Sequence, residues 1–299
     1  MTDRYDAIIV GGSYAGLAAA LQLARARRRI LVVDAGERRN RFAAHSHGFL
    51  TRDGESPAEI ARLAREQLLA YPTVTWLEAR ATTARRIDDD TFELAVGDAL
   101  HRGRRLVLAH GVTDELPPIP GLGERWGKTV FHCPYCHGYE LGGAPIAVLG
   151  VHPMSHHQAM LLPDWGPTTF FADPATLAPE VRADLARRKV VIDATPIREL
   201  RGDAQVELAL ADGRVATFAG AFVASRTRPS TTLAAQLGCK HEESPIGTFI
   251  ATDELKETTV RGVFACGDAA LAAGSVTFAV GDGARAGFAT HRSLIFGSH

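Results

Sequence analysis

The chain has 299 residues, 46% of them apolar and 22% charged, with a formal net charge of -1. That length suits two domains of ordinary size, and the composition excludes global disorder. The near-neutral balance gives no general attraction to nucleic acid or to an anionic membrane surface.

Residues 6–10 (DAIIV) read as a short buried strand, and the glycine turn from Gly11 to Gly16 leads into a helix reaching about Arg27. Residues 30–34 (ILVVD) form the next strand, completing a βαβ unit. Residues 7–24 carry no charge, but Gly11, Gly12 and Gly16 interrupt them, and neither a basic start nor a cleavage site is evident. They read as strand, turn and helix rather than a membrane span or signal peptide, in a soluble, cytoplasmic protein. Ser56-Pro57-Ala58-Glu59 is a capping box opening a helix that ends near Tyr71-Pro72. Strands are expected at 91–96 and 105–109, and the proline-rich run 117–121 breaks regular structure at a first domain boundary. A second α/β unit begins at 145–149 (PIAVL), with further strands at 168–172, 190–192, 206–210 and 221–224. Near Ile250 the chain returns to the first domain and ends in a helix from about Asp282. The expected fold is α/β, with two Rossmann-like domains, the second inserted in the first. Residues 1–116 and 249–299 make one, and residues 117–248 make the other.

The first turn has the residues needed to bring backbone N–H groups and a helix N-terminus onto a pyrophosphate. Gly11 allows the turn and Gly16 lets helix and strand pack closely, while Ser13 stands where G-x-G-x-x-G has its middle glycine. Asp34 closes the second strand, where a carboxylate accepts ribose hydroxyls. Four cysteines in a chain this long are no disulfide scaffold. Cys133-Pro134-Tyr135-Cys136 is a C-x-x-C flanked by His132 and His137, and in an α/β protein that points first to redox chemistry. His137 is suited to moving a proton near neutral pH. A zinc site is the alternative, but no second C-x-x-C or H-x-x-x-H half exists at structural spacing, so no metal is expected. Cys239 and Cys266 sit in apolar surroundings and read as core residues. The arginines look scattered, and none is assigned a site.

Residues 263–268 (VFACGD) resemble the second flavin motif of the two-dinucleotide-binding-domain flavoproteins. Residues 106–111 (LVLAHG) resemble the strand that ends there in Ala-Thr-Gly, with His110 replacing Thr, and 249–254 (FIATDE) the strand before the flavin motif. With the C-x-x-C between them, the whole chain resembles the low-molecular-weight thioredoxin reductases. The resemblance implies FAD in the discontinuous domain, held by Gly11, Gly12, Ser13, Ala15, Gly16, Asp34, Gly111, Gly267, Asp268 and Thr277, with His47 as a flavin neighbour. It implies a redox disulfide in which Cys136 faces the flavin and Cys133 exchanges with substrate, His137 taking the place of the family's acid–base Asp. A homodimer is implied as well.

The inserted domain departs from that family. Its turn reads Gly150-Val151-His152-Pro153-Met154-Ser155, with bulky side chains where a pyrophosphate needs bare backbone, and Asp173 follows the next strand where arginines hold a 2′-phosphate. His152, His156 and His157 crowd this turn, and they read as a solvated histidine-rich loop in preference to a metal site. The combination resembles the thioredoxin-reductase-like dithiol oxidases, the group of the gliotoxin and holomycin enzymes. It implies that a small-molecule dithiol or thioredoxin-like protein reduces the Cys133–Cys136 disulfide, which reduces FAD, with O2 as final acceptor. Two other readings remain: a disulfide reductase fed by NAD(P)H or ferredoxin, and a non-enzymatic flavin redox sensor.

Overall fold

The computed structural model describes residues 4–272 and 274–297. In the first strand, β1 (Arg4–Val10), successive side chains serve two different cores, as a sheet covered on both faces requires. β1, α1 (Tyr14–Arg25) and β2 (Ile30–Asp34) form the expected βαβ unit, with Ala7 opposite Ile30 in parallel register. Ser56 Oγ accepts the Glu59 N–H at 3.1 Å and Pro57 fills the first helical position, so α2 (Pro57–Leu69) starts there. The strand β3 (Val74–Glu78) extends the parallel sheet beyond β2. An antiparallel meander of β4 (Ala81–Asp88), β5 (Thr91–Val96) and β6 (Ala99–Leu108) returns beside β1, with Val10 opposite Leu108. A short strand, β7 (Val112–Glu115), leads out of this unit.

The second unit carries α3 (Leu122–Arg125), β8 (Val130–Phe131), α4 (Pro134–His137), β9 (Ile146–Leu149) and α5 (Ser155–Leu161). It continues through β10 (Thr168–Phe171), α6 (Pro179–Arg187) and β11 (Val191–Asp193). Three antiparallel strands follow, β12 (Ile197–Arg201), β13 (Val206–Leu210) and β14 (Val215–Phe218), and then β15 (Gly220–Val223). The parallel sheet runs β11-β10-β9-β15-β8. Ala147 and Leu149 of β9 pack toward the three antiparallel strands, whereas Ile146 and Val148 pack on the other face against Ala159 of α5 and Leu185 of α6.

The chain leaves this unit at β16 (Arg226–Pro229), which pairs antiparallel with β7, Thr227 opposite Asp114. After α7 (Leu233–Gln236) and β17 (His241–Ser244), β18 (Gly247–Ile250) joins β16 and β17. Leu233, Ala234, Cys239 and Ile250 share a core with Ile8 and Leu108. Leu233, Ala234 and Cys239 therefore pack into a core of the first unit. β19 (Val263–Ala265) lies parallel to β6, and α8 (Val276–Phe296) packs across α1. That helix begins at Val276 rather than near Asp282, because Ser275 Oγ caps it by accepting the Phe278 N–H at 3.0 Å. No helix of the described residues is long and apolar enough to cross a membrane.

Candidate active site

A cleft of about 430 Å³ runs from the glycine turn to the cysteine pair. At its first end Gly11 has φ +104°, and both Gly11 and Gly16 stand where a Cβ would strike backbone: the Ala109 carbonyl for one and the Gly11 carbonyl for the other. Bare backbone at both positions brings the N-terminus of α1 close to β1 at the cleft. Ser13 is the N-cap of α1 and makes no capping bond, and it borders the cleft with Ala15. Gly12 donates its N–H to Asp34 Oδ1 at 3.0 Å, which fixes that carboxylate at the wall.

At the other end Cys133 and Cys136 form a disulfide with their Cα atoms 5.3 Å apart. Cys133 is the N-cap of α4, so the pair closes a single helical turn. His137 ends that turn, its ring stacked on Phe131 with centroids 4.3 Å apart. Burial, with a smaller push from His47, lowers its pKa to about 4, so it is a neutral imidazole at physiological pH. His47 borders the cleft, its Nδ1 3.4 Å from Glu140 Oε1 and 3.7 Å from Asp53 Oδ1. Tyr135 and Tyr139, 71% and 84% exposed, form an open aromatic rim beside the pair.

Between the two ends lies a polar network that no local motif announced. Arg39 donates to Asp114 through Nε at 2.9 Å and Nη2 at 2.6 Å, and through Nη1 to Asp268 Oδ2 at 2.9 Å. Ser225 Oγ donates to Asp114 Oδ1 at 3.1 Å and lies 3.4 Å from His132 Nδ1. The His132 carbonyl accepts from Gln158 Nε2 at 2.6 Å. Burial pushes the Asp114 carboxyl up, but hydrogen bonding and charge from Arg39 overcome it and leave Asp114 below the ordinary carboxylate range. Burial and the Arg39 charge lower the His132 pKa. Arg39 is thus one of the arginines that sequence alone assigned no site.

The remaining expected cofactor residues divide. Asp268 and Gly111 border the cleft with Asp34. Gly267 lies behind it, donating its N–H to Asp282 Oδ2 at 2.9 Å, and Asp282 in turn pairs with Lys256 at 3.1 Å. Thr277 donates its hydroxyl to the Gly48 carbonyl at 3.0 Å and does not border the cleft. His110 at the wall keeps a buried Nε2 with no partner among the described residues, and burial lowers its pKa to about 4. A cleft of this size, with a helix N-terminus at the glycine turn, two carboxylates and one orphaned imidazole nitrogen, fits FAD. Cys239 and Cys266 are both buried, and burial pushes their thiols up.

The corresponding turn of the second unit is differently built. The Met154 N–H donates to His152 Nδ1 at 3.0 Å, and the His152 N–H to Ser155 Oγ at 3.2 Å. After β10, Asp173 Oδ1 accepts the Ala175 N–H at 2.8 Å. In the turn itself, the His152 and Met154 amides are thus engaged by the loop's own side chains, His152 and Ser155. No group of three or more His, Cys, Asp or Glu among the described residues is arranged to hold a metal ion.

Comparison with known proteins agrees with this architecture. The family pattern described as pyridine nucleotide-disulphide oxidoreductase matches residues 5–283. Thioredoxin reductase aclD of Aspergillus oryzae is 33% identical over 308 residues, covering 98% of this chain and 97% of its own. The crystal structure of an oxidoreductase from Agrobacterium tumefaciens superposes with a TM-score of 0.94 at 53% identity, covering 98% of this chain and 99% of that one. The crystal structure of HlmI gives 0.92 at 34% identity, covering 99% and 94%.

Proposed function

The chain belongs to the pyridine nucleotide-disulphide oxidoreductase family, and from that premise we propose that it oxidises dithiols. It is an FAD-dependent disulfide oxidoreductase of the thioredoxin reductase type, and the direction of electron flow is the point at issue. In the proposed direction a dithiol, on a small molecule or a thioredoxin-like protein, attacks the Cys133–Cys136 disulfide. The substrate leaves as a disulfide and the enzyme keeps the two electrons as a dithiol. Bound FAD supplies the two-electron route from that dithiol to O2, with hydrogen peroxide as the balancing product.

The chain's own residues perform the thiol chemistry. Neutral His137 takes the proton of the attacking thiol, which makes the nucleophilic thiolate at the disulfide. Tyr135 and Tyr139 offer the incoming dithiol an apolar rim. Gly11, Ser13, Asp34 and Asp268, which border the cleft, would hold the cofactor's polar parts, with the cysteine pair at the far end.

The observation that carries the oxidising direction is the self-occupied turn at His152–Ser155, together with Asp173 where an arginine cluster would hold a nicotinamide phosphate. Anaerobic titration of the flavin absorbance with NADPH, NADH and dithiothreitol in turn tests it. Bleaching by the dithiol alone, lost in Cys133→Ser and reversed by air with peroxide formed, is the expected result. Stoichiometric bleaching by either nicotinamide would return the protein to the reductases.

A further inference from the structure

Arg39 stands at the junction between the two units. The chain passes between them twice, after β7 and before β16, and these two strands pair with each other. Asp114 lies on the first, and Ser225 immediately precedes the second. The register of the second sheet brings the rest into place: Phe131 of β8 lies opposite Phe222 of β15, so His132 and Ser225 emerge from neighbouring strand ends. His132 is the residue before Cys133. One continuous set of contacts therefore runs from the second flavin motif at Asp268, through Arg39 and both crossings, to the cysteine turn.

The chemistry of this set favours rigidity. A guanidinium forked onto a carboxylate fixes angle as well as distance. Swinging the units apart would leave partly buried charges unpaired, which costs more than breaking a surface pair. Asp114 is also bound from the opposite side by Ser225, so neither crossing strand can shift without disturbing the other.

We propose that Arg39 is a positioning residue: by gripping Asp114 and Asp268 together it locks both chain crossings and holds the Cys133–Cys136 turn at the cofactor cleft. It acts on the cysteine pair through Asp114, Ser225 and His132. A fixed arrangement suits turnover in which the cysteine pair alone exchanges electrons with the flavin, so this proposal rests on the oxidase reading.

Two variants separate this role from cofactor binding. Asp114→Asn keeps the side-chain shape and leaves Arg39 on Asp268, and Arg39→Lys keeps the charge but loses the fork. Anaerobic stopped-flow follows flavin bleaching of the FAD-loaded protein by dithiothreitol, which works through the cysteine pair, and by dithionite, which does not need it. Both variants are expected to bind FAD stoichiometrically and to bleach with dithionite at the wild-type rate. Bleaching by dithiothreitol is expected to slow by about 10²-fold, the loss that a 1 Å misplacement of reacting groups brings. After reduction, Cys133 and Cys136 of the variants should also react faster with a bulky maleimide. Unchanged dithiothreitol rates in both variants would overturn the proposal. Equal slowing with both reductants would overturn it as well, as would loss of FAD from Asp114→Asn, since the network would then belong to the cofactor seat alone.

Discussion

The neutral state of His137 makes a sharp kinetic prediction. Lowering the pKa from 6.5 to about 4 amounts to roughly 3 kcal/mol against charging the ring. At pH 7 about one ring in a thousand then carries the second proton, and the rest can accept one. A base that is already neutral across the working range adds no ionisation to the pH profile there. The second-order rate constant for flavin bleaching by dithiothreitol should therefore be nearly flat between about pH 5 and 8, because that constant reports the free enzyme. General-base assistance contributes about 10²- to 10⁴-fold for a base poised near the working pH. A base of pKa about 4 is weaker, so His137→Gln should slow bleaching at pH 7 by about tenfold. The variant would depend on thiolate already formed in solution, and its rate should rise about tenfold per pH unit up to the thiol pKa near 8.5. Anaerobic stopped-flow over this range supplies both curves. An inflection near pH 6.5 in the wild type, or a His137→Gln rate within a few-fold of it at pH 7, would refute the assignment.

Two further outcomes follow from the cleft walls. Gly16→Val places side chain on the Gly11 carbonyl, and overpacking of this kind costs about 1–3 kcal/mol. The purified variant should be folded by circular dichroism but depleted of flavin, and a fully yellow Gly16→Val protein would contradict the close-approach argument. His110 is held neutral by burial, its pKa near 4 against 6.5 unfolded, so below about pH 6.5 the unfolded chain binds a proton that the native state refuses. Stability contributed above that pH is lost as the pH falls toward 4. Between pH 7 and 5 the loss from this group amounts to roughly 2 kcal/mol. Urea unfolding of His110→Thr at both pH values should show a correspondingly smaller acid loss, and an identical loss would count against burial as the cause.

What was legible in the sequence was what is contiguous in it. The glycine turn and the C-x-x-C stand out by spacing within a few adjacent residues, and the VFACGD run stands out by its resemblance to a flavin motif. Arg39, Asp114, Ser225 and His132 come from four separate stretches and meet through strand-end register, which leaves no trace in any one window. His137 was visible as a residue but not in its charge state, because burial against Phe131 decides that. The start of α8 was missed because glycines at 281 and 283 obscure its period, and the signal that fixes it is the single cap at Ser275. Thr277 lies one helical step past that cap with its hydroxyl engaged at Gly48, and only the folded loop shows that.

The pairing of β7 with β16 has a consequence for how such a protein is assembled. With Thr227 opposite Asp114 and Arg226 opposite Glu115, the ends of residues 116–225 are as close as the two arms of a hairpin. To the flavin unit, the whole second unit is a loop of unusual length whose closure leaves the host strands undisturbed. Loop length adds little to the entropy of closure, and insertions at such sites are well tolerated. A flavin scaffold arranged this way can exchange its redox attachment as a cassette, keeping the cofactor seat while the graft changes what it receives electrons from.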